Sequence, residues 1–113
     1  MSEPGSLLVS ASYVFASLER AREAGYDARV HHLVDLERVP GEDWRERQRR
    51  LDEVLGDAAR AAVGLQLPAG GDGIELVLRI SFISEGSEQL GYALTSEFLR
   101  EWSALGGAIH IDN

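Results

Sequence analysis

The sequence predicts an α+β fold: a two-layer sandwich in which one mostly antiparallel sheet carries helices packed on one face. Three observations lead there. The segments 7–15, 28–37 and 74–83 alternate apolar and polar residues with the period of two that marks a strand. Other stretches repeat their apolar residues at helical spacing. The alternating segments are also apolar on one side only, with Glu75, Arg79 and Ser81 on the polar side of the most regular one. A doubly wound parallel sheet would need strands buried on both faces. At 113 residues the chain is read as one domain, 1–113.

The elements follow in order. Over 7–15 the residues Leu7, Val9, Ala11, Tyr13 and Phe15 share one side, predicting a strand with that side inward. Ser17 is placed to cap a short helix over 18–24, and Gly25 stops it. The second strand, 28–37, is read with Val30, His32, Val34 and Leu36 inward and with Arg29, His31, Leu33, Asp35 and Glu37 outward. Pro40-Gly41 then breaks the chain. Trp44, Gln48, Leu51, Val54, Leu55, Ala58, Ala62 and Val63 form a helical stripe, with Gly56-Asp57 as a point where it can split in two.

Residues 68–73 read as a loop and 74–83 as a strand, with Ile74, Leu76, Leu78, Ile80 and Phe82 inward. A turn at 84–87 leads to a short strand over 89–94. Ser96 caps a helix carrying Phe98, Leu99, Trp102 and Leu105 on one face, and Gly106-Gly107 ends it. The last strand, 108–112, has Ile109 and Ile111 inward, with His110 and Asp112 outward.

The C-terminal half of this pattern resembles a small uncharacterised bacterial α+β family, a domain of unknown function. The resemblance is carried by Leu51-Asp52-Glu53-Val54-Leu55, by the strand 74–83, by Leu94-Thr95-Ser96-Glu97-Phe98-Leu99 and by Leu105-Gly106-Gly107-Ala108-Ile109-His110-Ile111-Asp112. It implies a compact two-layer fold and supplies no catalytic residues. Some relatives resemble immunity proteins of toxin systems, which implies binding to a protein.

Composition removes many chemistries. Without cysteine there are no disulfides, thiolate metal sites, iron–sulfur clusters or cysteine nucleophiles. All 11 basic residues are arginine, so Schiff-base catalysis and the phosphate-loop lysine are absent too. No Gly-x-Ser-x-Gly elbow occurs, and the glycine-rich run 69–73 precedes a strand rather than a helix, which makes it a connector and not a phosphate cradle.

Nineteen acids leave a formal net charge of -8, which repels nucleic acid and favours a basic protein partner. No apolar run spans a bilayer and the first residues do not read as a secretory signal, so neither a membrane partner nor export is expected and the expected compartment is the cytoplasm. Arg45, Arg47, Arg49 and Arg50 resemble a basic patch, but acids three or four residues away make them a self-neutralised helix face.

The candidate binding residues are those read as the polar sheet face: His31, Asp35, Glu37, Glu75, Arg79, His110 and Asp112. No catalytic residue, metal or cofactor is assigned. The first reading is a small acidic cytoplasmic interaction protein of immunity type, which occludes a partner. An alternative is a ligand-binding or metal-dependent enzyme domain, in which His31, Asp35, His110 and Asp112 meet on the open face. A third is an oligomerising module that uses its sheet face or edge. Trp44 and Trp102 are expected in the core, and either becomes an interface anchor if exposed.

Overall fold

The computed structural model describes residues 6–40, 43–69, 73–83 and 92–112. Seven elements run in the order β1 (Ser6–Phe15), α1 (Leu18–Glu23), β2 (Val30–Pro40), α2 (Trp44–Leu65), β3 (Ile74–Ile83), α3 (Ser96–Ala104) and β4 (Gly107–Asp112). The strands form one sheet in the order β2-β1-β3-β4. β1 pairs antiparallel with both β2 and β3, while β4 lies parallel to β3, as a strand reached through the crossover helix α3 can. The α+β class and the mostly antiparallel sheet therefore hold. Among the described residues no helix is long and apolar enough to cross a membrane.

β1 is central because its inward side is apolar without interruption: Leu7, Val9, Ala11, Tyr13 and Phe15 are fully buried. Leu76, Leu78 and Ile80 continue that core on β3, and Phe98 and Trp102 of α3 close it. α2 contributes Leu51, Val54, Leu55, Ala58, Ala59 and Ala62. Ser17 caps α1 by accepting the Arg20 amide at 3.0 Å, and Asp43 caps α2 through the Arg45 amide at 2.9 Å. The cap of α3 is Thr95, one residue before the expected Ser96; its Oγ1 accepts the Phe98 amide at 3.1 Å.

Several expectations are corrected. α2 runs unbroken through Gly56-Asp57, since one buried stripe on either side of the glycine outweighs its modest helix cost. Trp44 has the phase of that stripe but sits on the first turn, ahead of the core, and is 63% exposed, with the Arg45 guanidinium 5.5 Å from its ring centre. Val63, Leu99 and Ile111 are exposed as well. Of the expected strand 89–94, residues 89–91 lie outside the described residues, and 92–94 form no strand. Gln48 instead holds this segment in place: its side chain donates to the Ala93 carbonyl at 2.8 Å and accepts the Ala93 amide at 2.9 Å.

Tyr13 links sheet and helix, its hydroxyl donating to the Ala62 carbonyl of α2 at 3.2 Å. Burial, helped by Tyr26, pushes its phenol above the ordinary value of about 10. The folded state thus favours the neutral phenol, and the unfolded chain ionises first. This contribution to stability is complete below about pH 10 and is lost as pH rises through the raised value. Tyr13→Phe is expected to cost about 1 kcal/mol at neutral pH and to flatten the alkaline fall in thermal midpoint. Parallel alkaline curves for the two proteins would count against the assignment.

Candidate functional site

The functional geometry follows from how β2 pairs with β1. Val9 lies opposite Glu37 but Ala11 lies opposite Val34, so two steps on β1 span three on β2. Ser12 lies opposite His32, which adds a second extra residue on β2. Each bulge shifts the side-chain alternation by one. Leu33 and Val34 consequently both pack against the core, and Leu36 takes a left-handed backbone, φ 47°, that holds its side chain 59% exposed.

The bulges overturn the parity read for 28–37. His31 lies opposite Tyr13, on the core side of the sheet, with its ring 4.7 Å from that of Tyr26. His32 faces the open side, where Nδ1 and the nearly buried Ser12 Oγ share a 3.0 Å hydrogen bond. Glu37 lies opposite the inward Val9, turned toward α2, and pairs with Arg50 at 3.1 Å. Asp35 lines a groove against α2. Of the seven expected face residues, Glu75, Arg79 and His110 project exposed from the open face, and Asp112 is in register opposite Ser81 there. His31, Asp35 and Glu37 do not belong to it.

The four-residue metal site weighed from the sequence does not assemble. His31 and Asp35 sit on β2 and His110 and Asp112 on β4, the two edges of the sheet, three strand spacings or about 14 Å apart. Among the described residues no group of three or more histidines, aspartates or glutamates comes together as a metal site.

What the fold does bring together is an acidic groove of about 430 Å³ between the bulged part of β2 and the flank of α2. Leu33, Val34 and Val54 supply its apolar lining, and Asp35, Glu37, Glu53 and Asp57 supply carboxylates. Arg50 is the one guanidinium in the lining, held between Glu37 at 3.1 Å and Glu53 at 3.4 Å. Arg49 continues the chain of pairs by binding both Glu46 and Glu53. The hydrogen bond from Arg49 holds the Glu46 carboxyl below its usual range, and Glu46 in turn raises Arg49. Arg49 and Arg50 therefore form the expected self-neutralised helix face, while Arg47 departs from it, its side chain buried at 5% exposure. No protein-family model, curated protein or solved structure matches this chain.

Sequence reasoning missed the groove because residues 34–37 alternate perfectly and contain no glycine, asparagine or proline to announce a bulge. The usable signal was on α2: Arg50, Glu53, Val54 and Asp57 share one flank at helical spacing, beside the core stripe. The open sheet face differs in charge from the groove. Arg38 and Arg79 project there with Glu75.

Proposed function

We propose that this protein is a small acidic interaction domain that binds a basic segment of a partner protein in the β2–α2 groove and occludes it, as an immunity-type inhibitor does. The observation that carries this is the combination in one concave surface of an apolar lining, Leu33, Val34 and Val54, with four carboxylates. A basic amphipathic segment matches it. Its apolar residues meet Leu33 and Val34, its cations meet Asp35 and Asp57, and the net charge of -8 accelerates the encounter. The sheet face read from sequence as the docking surface suits such a partner less, since Arg38 and Arg79 there offset its acids.

An arginine- and leucine-rich synthetic peptide serves as the probe. Its association, followed by stopped-flow fluorescence, is expected to slow as salt rises, because the Debye length contracts from ~30 Å at 0.01 M to ~8 Å at physiological salt. Steering fields raise on-rates by ~10–10³, so reversing one groove charge with Asp35→Lys is expected to slow association at low salt on the order of tenfold. Glu75→Gln is expected to leave the rate nearly unchanged. A salt-independent rate, or a larger effect from Glu75→Gln than from Asp35→Lys, would overturn this reading.

A further inference from the structure

We propose that the uncovered face of the sheet is a self-association surface, on which a second copy docks about a two-fold axis through Val77. This goes beyond the groove, which lies on the other layer and stays accessible in such a dimer.

The register places the residues of this face. Val14 lies opposite Glu75, Ser12 opposite Val77 and Ser10 opposite Arg79. On the other flank Val77 lies opposite Ala108 and Arg79 opposite His110. The middle row is His32-Ser12-Val77-Ala108; its last three side chains are small, so a second sheet can approach there to the ~10 Å of a face-to-face packing, with His32 at the β2 edge. Val14 and Val77 are half-buried and Val30 is 42% exposed at the edge, which leaves apolar surface to cover.

A two-fold interface uses the same patch on both copies, so that patch must complement itself. β3 meets this condition. Along its open side Glu75, Val77 and Arg79 follow one another at intervals of two residues, with both charged side chains exposed. An axis lying between the sheets, across the strands and through Val77, sets Val77 against its own copy and each Glu75 against the other copy's Arg79. The same operation sets Val14 against Ser10 and aligns the two β3 strands antiparallel. Any other register brings Glu75 or Arg79 against an uncharged or like-charged neighbour on the partner's β3. Paired charges of this kind specify orientation more than they add affinity.

The dimensions fit. Four strands ~4.8 Å apart and roughly 25 Å of strand length make a face about 19 by 25 Å, or about 475 Å² in projection, the size of a small, weak interface. The charge distribution fits too. Asp35, Glu37, Glu46, Asp52, Glu53 and Asp57 sit on α2 or on the β2 rim that faces it, and the docked pair keeps them outside.

Sedimentation equilibrium of the full chain, from low to high micromolar concentration, tests the proposal. The expected result is a species of twice the chain mass. Glu75→Arg alone and Arg79→Glu alone each place like charges across the axis and are expected to be monomers with an unchanged far-ultraviolet circular dichroism spectrum. Mixed together, these two variants restore both opposite-charge pairs and are expected to form a heterodimer. The double variant is expected to dimerise with itself. A wild-type chain that stays monomeric throughout would overturn the proposal. So would a dimer indifferent to both single changes, or two monomeric variants that fail to associate when mixed.

Discussion

Replacing Gly107 by alanine is expected to destabilise the fold by about 3–5 kcal/mol. A Cβ at this position would lie 2.4 Å from Nε1 and 2.5 Å from Cδ1 of Trp102, far inside van der Waals contact. The indole has no room to retreat: Trp102 is 1% exposed, its ring stacks on Phe98 at 5.5 Å, and Nε1 donates to the Ala108 carbonyl at 3.0 Å. Gly107 is equally held, being the first residue of β4 in register with Leu76. Something must give. If the indole moves, its buried N–H loses its acceptor at ~1–3 kcal/mol, in addition to overpacking strain of ~1–3 kcal/mol. If β4 moves, the parallel ladder to β3 is lost from its first rung. Either way the loss is a large part of a typical ~5–15 kcal/mol.

Gly64→Ala is the control. Gly64 lies in α2 with nothing within 4 Å of a built Cβ, so the same added methyl is expected to stabilise by ~0.5–1 kcal/mol through helix propensity. Urea titrations of the two variants are expected to move the midpoint in opposite directions. A Gly107→Ala midpoint within error of wild type would show that the Trp102 seat is not as drawn.

Leu78→Ala is expected to cost about 2–5 kcal/mol. Leu78 is fully buried at the middle of β3, flanked by Ala11 on β1 and Ile109 on β4. Neither neighbour is well placed to fill the void. Ala11 is already small, and Ile109 is fixed on the edge strand by its own ladder. The cavity therefore persists, and its volume adds to the transfer loss. The urea midpoint is expected to fall with the slope unchanged, the mark of a stability change without a change in the denatured ensemble. A loss below half a kcal/mol would mean that the inward face of β3 has been misassigned.

The contrast between β1 and β2 shows how far the chain can be read without coordinates. On β1 every second residue from Leu7 to Phe15 is apolar, and all five are fully buried. A central strand has a neighbour on each side, and its ladder to β3 runs without a break from Ser6 to Phe15. On β2 the same alternation misplaced His31, Glu37 and Leu36. An edge strand is restrained on one side only, so it can accept two bulges, and each bulge inverts the faces of everything beyond it. The candidate site was misplaced for this reason: three of its seven residues lie on the inverted strand, and the acids Glu53 and Asp57 meet Asp35 and Glu37 only through the packing of α2.

The two tryptophans divide in the same way. Both occupy apolar positions at helical spacing, yet Trp102 is buried and Trp44 is exposed, because Trp44 sits on the first turn of α2, ahead of the core, while α3 seats Trp102 against Gly107. From the sequence alone came the α+β class, the inward faces of β1 and β3, the cap Ser17, and the chemistries excluded by the lack of cysteine and lysine. These depend on composition and on local periodicity, which short-range backbone sterics enforce. The strand order, the bulges and the acidic groove were decided by tertiary structure. They depend on which strand lies beside which and in what register, and that is set by the global packing of one apolar face against the long helix α2 and the shorter α3.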